Sequence, residues 1–409
     1  MSTRRNFCKF GAAGLAAGAL FGGQREAGAS SGRHMPASGT GVVVYTQPGR
    51  GDFSTADFDS DLAAAQHAYD KMVTTKGLPN TLILDSSGGP LEFDGALEVW
   101  QSKCRITGTG GPTVVPSEGY TGALIKTSMR KESERGEDRV ISDVIMDNLW
   151  LNGRGRSLGI KLRDLQLSTI HDIHVRSTDG PGLWLSDGVI ENLFSNLILS
   201  DNCGSKEQPA LLIRPESKDR PKKMNYGNHT VNSTHFSGIM IHFPTNDALR
   251  VSAGPAPIRE SRRHRKIKFS GCYFHGHGRQ DRPLVTLADA YEIAFVGTQM
   301  LIWRKEGVIM QLGTEEARWP TGITMISHCL FSAAPGSKAT GIHAVNVDTK
   351  APCLAVFGNA FGTLEGRLAH AVDWGDQKDK KASWAGNAVH VTREPHIGVR
   401  PQDADTSPF

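Results

Sequence analysis

From residue 138 onward, the chain keeps repeating one pattern. Residues 142–162, 165–185, 188–213, 228–251 and 263–287 can be laid under one another. Weaker copies start near Ala290, Pro320 and Lys350. Each copy holds three short apolar-alternating runs separated by polar turns, with a period of about 22 residues plus loop insertions. A unit this short cannot bury a core alone, so the copies must stack. The runs are too short for helices, alternate with period two and favour Val, Ile, Thr and Phe, so they read as strands. Three strands per turn predict an all-β parallel β-helix, with one side-chain set inward and the other outward.

Residues 55–75 differ. Phe58, Leu62, Ala65, Tyr69 and Met72 recur at steps of four and three, which predicts a helix with one apolar stripe. Short strands follow at residues 81–85, 91–93 and 104–108, cut by glycine turns. This helix, then Leu82-Ile-Leu-Asp85, Leu91-Glu-Phe93 and Ile106-Thr-Gly-Thr-Gly110, resembles the first coil of the pectate-lyase-like superfamily. The resemblance covers roughly residues 40–395. It implies a right-handed solenoid with the helix capping the first coil. It also implies a carbohydrate-active protein, since the superfamily holds polysaccharide lyases, glycoside hydrolases, epimerases, fructan-cyclising transferases and phage tailspikes. Fold alone does not choose among them.

The start of the chain is of another kind. Thr3-Arg4-Arg5-Asn6-Phe7-Cys8-Lys9, a Gly/Ala-rich stretch and Ala27-Gly28-Ala29 resemble a twin-arginine export signal with its cleavage site. The expected division is a signal at 1–29, a flexible leader at 30–40, the cap and first coils at 41–137, the solenoid body at 138–395 and a tail at 396–409. The expected location is the periplasm or the exterior. Cleavage lowers the formal charge from +4 to about +1, because most of the excess basicity sits in the signal. A near-neutral exported protein is not expected to bind nucleic acid. After residue 30 no apolar run approaches the roughly 20 residues of a membrane span. Cys104, Cys203, Cys272, Cys329 and Cys353 are an odd set without CxxC spacing, and are expected as buried thiols.

Stacking the copies assigns columns. Before each large loop the inward pairs are Leu149/Leu151, Ile173/Val175, Leu197/Leu199, Ile239/Ile241 and Cys272/Phe274, with Cys329 in the Cys272 column. The outward pairs are Trp150/Asn152, His174/Arg176, Ile198/Ser200, Met240/His242 and Tyr273/His275. His242 and His275 are therefore expected side by side with Tyr273, and Arg176 two rungs away. The next strand turns Lys161/Arg163, Trp184/Ser186, Leu212/Arg214 and Arg250/Ser252 outward. Stacked like charges repel, so this column is expected to meet an anionic ligand, although each cation singly reads as a solvated surface residue. Asp147/Asn148, Asp172 and Asn196 recur at one bend and read as a polar turn ladder.

These columns carry three functional expectations. The first is a polysaccharide lyase on an anionic, uronic-acid polymer. In it His242 or His275 is the base, Tyr273 the acid, and Arg176 or the Lys161, Arg163, Arg214, Arg250 column neutralises the carboxylate, with Trp184 and His174 in binding. The second is a glycoside hydrolase or fructan-cyclising transferase, for which Asp179, Asp201, Glu207 and Asp247 are the candidate carboxylates. The third is a non-catalytic glycan-binding β-helix. No cofactor is expected. Many relatives of this fold use Ca²⁺, and it stays open here although no dense carboxylate cluster is evident. His275/His277 as a metal pair lacks a third ligand at a fixed offset. His275-Gly-His277-Gly is similar to the Gly-His-Gly of polygalacturonases, but the rest of that pattern is missing. A homo-oligomer stays open, because trimers occur among similar folds.

Overall fold

The computed structural model describes residues 42–45, 52–75, 78, 80–109, 113–127, 140–202, 208–216, 230–254, 263–276, 282–304, 306–348, 354–362, 368–374 and 382–389. The expected signal, leader and tail lie outside these residues, as do Cys203, Glu207, His277 and Cys353.

The chain is a parallel β-helix. Among the described residues, 26 strands form one long sheet and 10 form a second, and every pairing between them is parallel. The long sheet bends along its length into two limbs. Thr169–Arg176 and Leu193–Ser200 each run through the bend and pair over both limbs. The ten-stranded sheet forms the remaining wall, from Leu97–Val99 to His370–Asp373.

The bend comes from one residue per coil. Asn148, Asp172, Asn196, Gly238, Gly271, Gly297, His328 and Gly358 all have φ between 51° and 63°. In an alternating strand a left-handed residue shifts the inward set by one position. Ile170 points inward before Asp172, and Ile173 and Val175 do so after it. Phe194, then Leu197 and Leu199, repeat this around Asn196. Both limbs can then face one core. Asn, Asp and Gly tolerate this conformation best. The expected polar ladder is present here, with Asn196 Nδ2 donating to Asp172 Oδ1 at 3.1 Å.

The core is a set of inward stacks. Phe194, Phe236, Phe269 and Phe295 lie on successive rungs, with ring centroids 4.8, 4.7 and 4.9 Å apart and nearly parallel. That spacing is the inter-strand distance, so backbone pairing sets the ring stack. Cys272 and Cys329 are buried free thiols in one inward column, two coils apart, and burial raises both thiol pKa values to about 11. Cys104 is a third buried free thiol.

The helix Asp61–Thr74 packs on the first coils. Ser60 caps it by accepting from the Ala63 N–H at 3.1 Å. It buries Ala64, Ala65, Ala68, Tyr69 and Met72 against the solenoid, while Phe58 and Leu62 pack partly buried at the edge of the core. The helix starts later than the sequence stripe, because residues 55–57 make a separate 3₁₀ turn. Among the described residues no helix is long and apolar enough to cross a membrane.

Candidate functional site

The second limb of the long sheet presents two outward columns. One runs Trp150, His174, Ile198, Met240, Tyr273. The other runs Asn152, Arg176, Ser200, His242, His275. This is the register expected from the repeats. Ile198, Met240 and, one turn later, Phe243 are each more than a third exposed. Together with the aromatic side chains they make an open apolar strip with polar groups set along it.

His242, Tyr273 and His275 form its densest cluster. Their ring centroids lie 5.2 Å (His242–Tyr273), 5.9 Å (His242–His275) and 5.6 Å (Tyr273–His275) apart. His275 is mostly buried. Phe243 lies against it at 4.7 Å and Trp303 at 5.7 Å. Phe243 has φ 48°, a costly conformation for an aromatic residue. Burial lowers the His242 pKa, with the Asp201 charge opposing. Burial also raises that of the Tyr273 phenol. Near neutral pH the imidazole is therefore an available base and the phenol keeps its proton.

His174 stacks on Trp150, with centroids 5.3 Å apart and 19° between planes, and its Nε2 lies 2.9 Å from Ser200 Oγ. Its pKa is lowered by burial, then by Arg176 and, less, by His242. Asp201 opposes. Arg176 stands two rungs from His242, the register that the repeats give. Its guanidinium lies over the Trp150 ring at 5.1 Å, toward the rung away from His242. None of the ion pairs among the described residues involves it.

Lys161, Arg163, Trp184, Arg214 and Arg250 stand on the ten-stranded sheet, away from the histidines. The register again matches, with Lys161, Trp184, Leu212 and Arg250 in one column. The expected column of unpaired cations is not there. Lys161 binds Glu216 at 2.5 Å, Arg163 binds Asp164 at 3.0 Å and Arg250 binds Asp247 at 2.5 Å. Leu212 and Ser186, expected outward, are buried. Residues 214–216 fold back over this face: Trp184 Nε1 donates to the Arg214 carbonyl at 2.8 Å, and the Lys161 ammonium sits 4.4 Å over the indole. The side chain of Arg214 lies against Gly254. With three of the four expected cations paired inside the molecule, mutual repulsion no longer argues for an anionic ligand on this sheet.

The candidate carboxylates are dispersed. Asp247 is buried beneath Arg250, and burial raises its pKa despite that partner. Asp179 is half-buried, with its backbone N–H donating to the Ser157 carbonyl at 3.0 Å. Asp201 is exposed at a φ of 50°, and its charge reaches His174 and His242. Glu207 and His277 lie outside the described residues. Among the described residues no group of three or more His, Cys, Asp or Glu side chains could hold a metal ion. A lone carboxylate among imidazoles, a phenol and a guanidinium does not match the oxygen-rich shell that Ca²⁺ takes.

Sequence reasoning left Trp150, Phe243 and Trp303 out of the site. Trp150 was legible as an outward residue, and its link to Arg176 follows from their adjacent rungs. The left-handed Phe243 had no sequence signal.

No protein-family model matches the sequence, and no curated protein does. Solved structures share its fold. An alginate lyase from Paenibacillus sp. str. FPU-7 superposes with a TM-score of 0.52 at 12% identity, over 81% of this chain and 96% of that one. The surface adhesin PfbA of Streptococcus pneumoniae gives 0.52 at 10%, over 81% and 94%. ORF18 of Geobacillus virus E2 gives 0.50 at 13%, over 82% of this chain but only 58% of its own length. At such identities the likeness is one of fold.

Proposed function

We propose that the chain is an exported polysaccharide lyase that cleaves a uronic-acid polymer by β-elimination. One observation carries this reading: a neutral imidazole, His242, and a protonated phenol, Tyr273, lie with ring centroids 5.2 Å apart on an exposed apolar strip. The fold is in keeping with it, since an alginate lyase shares it.

The chemistry follows from the groups present. His242 takes the proton from C5 of a uronate ring. The C–H electrons form the C4=C5 double bond, the C4–O bond breaks, and the departing oxygen takes the Tyr273 proton. Base and acid then stand on the same side of one sugar, with no water consumed. His275, wedged by Phe243 and Trp303, positions the cluster and is the alternative base. Arg176 brings the positive charge that a polyuronate requires. The paired cations of the ten-stranded sheet have no assigned role.

The test is to incubate the mature protein with alginate, pectate, glycosaminoglycans and inulin. The expected result is the ultraviolet absorbance of an unsaturated uronide, from one acidic polymer. New reducing ends or cyclic sugars without that absorbance would replace the lyase by a hydrolase or transferase using carboxylates such as Asp201. Binding with no product would leave a glycan-binding solenoid.

A further inference from the structure

The strip of Trp150, His174, Ile198, Met240 and Tyr273 runs along the helix axis over five consecutive rungs. Arg176 and His242 are two rungs apart on it, about 10 Å at the spacing of parallel strands. The guanidinium leans further away still, onto the Trp150 ring. Arg176 is thus badly placed for the carboxylate of a sugar held between His242 and Tyr273. A guanidinium held over an indole has a restrained orientation, and its terminal N–H groups suit capture of a carboxylate. Two rungs are comparable to two pyranose units of an extended polymer.

We infer that Arg176, held by Trp150, reads the carboxylate of a second uronate, about two to three sugars from the one being cleaved, with the polymer lying along the helix axis. This inference rests on the lyase reading of the His242–Tyr273 pair. It makes the substrate at least a short run of sugars with acidic residues at a fixed spacing. His174 shares the rung of Arg176, and its ring reaches the intervening rung, where Ser200 Oγ holds it. It thus becomes part of the platform beneath the intervening sugar.

The test uses oligouronates from dimer to hexamer, prepared from polymannuronate, polyguluronate and polygalacturonate. Unsaturated product is followed for the wild-type protein, Arg176→Ala and Arg176→Lys. Wild-type kcat/KM should rise steeply once the oligomer is long enough to reach Arg176. In Arg176→Ala that rise should be lost, so that the ratio of wild type to variant grows by roughly 10–100-fold between the dimer and the longer oligomers, the value of a charge-assisted pair. Arg176→Lys should recover part of it, since the charge remains without the fork. A ratio independent of length, in variants that melt like wild type, overturns the subsite. If wild type forms no unsaturated product from any polyuronate, the lyase reading fails, and calorimetric titration with the same tetramers decides on the subsite alone. Weaker binding by Arg176→Ala supports it, and equal binding or none to either protein overturns it.

Discussion

Two outward faces of this solenoid hold similar residues and use them differently. On the ten-stranded sheet, Lys161, Arg163 and Arg250 are bound to Glu216, Asp164 and Asp247, and residues 214–216 cover the indole of Trp184. On the second limb of the long sheet, His174, Arg176, His242 and Tyr273 stand among exposed apolar side chains, and none of the ion pairs among the described residues involves Arg176. Charge density in a sequence therefore points less surely to a ligand than unpaired chemistry on an open face does. Stacked cations cost stability, and a fold can relieve that cost with its own carboxylates. A neutral imidazole beside a protonated phenol has no such structural purpose.

Substitutions should separate the two faces, and the largest effect is expected at the histidine cluster. His242→Ala should lower the rate of elimination by about 10²–10⁴-fold, the usual worth of a positioned general base, with little change in melting temperature. Tyr273→Phe should do the same by removing the acid. Equal rates in both variants would move the chemistry elsewhere. Arg250→Ala should act on stability instead. It leaves Asp247, 1% exposed, with only the more distant charge of Arg282 to offset its burial, at a cost of up to about 3 kcal/mol. Denaturant unfolding checks this, and an unchanged midpoint would mean that Asp247 takes up a proton or another partner without loss.

A pH effect of intermediate size comes from inside the solenoid. His264 is fully buried, its Nδ1 accepting from the Val231 N–H at 3.1 Å and its Nε2 lying 3.0 Å from the Ser252 carbonyl. Those partners fix a neutral ring with the proton on Nε2. Burial lowers its pKa from 6.5 to about 4. Between these values the unfolded chain binds more protons than the folded one, so stability drops as the pH is lowered. The contribution is complete above pH 6.5 and lost as pH falls to about 4, amounting to about 3 kcal/mol. Thermal melts across that window should show the decline, and it should flatten in His264→Gln.

The smallest effect is expected at Lys161. Its partner Glu216 is 41% exposed, so Lys161→Ala should cost about 1 kcal/mol or less, and salt should reduce the difference further. A larger loss at high salt would show that stacking on Trp184 matters more than the ion pair.

Much of this architecture could be read from the sequence, because a stacked solenoid repeats one local rule. Period-two alternation gave most of the inward residues, Leu212 and Ser186 excepted, and Asn148, Asp172 and Asn196 marked three of the bends. The pairs His242–His275 and Cys272–Cys329 thus follow from the repeat alone. What the residues meet could not be read in this way. Glu216 reaches Lys161 across 55 positions, and the backbone of residues 214–216 crosses a face that alternation alone leaves open. Arg176 sat on the correct rung, but the direction of its side chain depends on Trp150, one rung back. Phe243 is placed by a left-handed backbone that no residue preference announces.

The most direct measurement compares unsaturated-uronide formation by His242→Ala and Arg250→Ala on the polymer that the wild type cleaves, normalised to the folded fraction of each. If the histidine face carries the reaction, His242→Ala forms almost no product, while folded Arg250→Ala works at close to the wild-type rate. Full activity in His242→Ala, with loss of activity in folded Arg250→Ala, would contradict this and return the site to the cationic sheet.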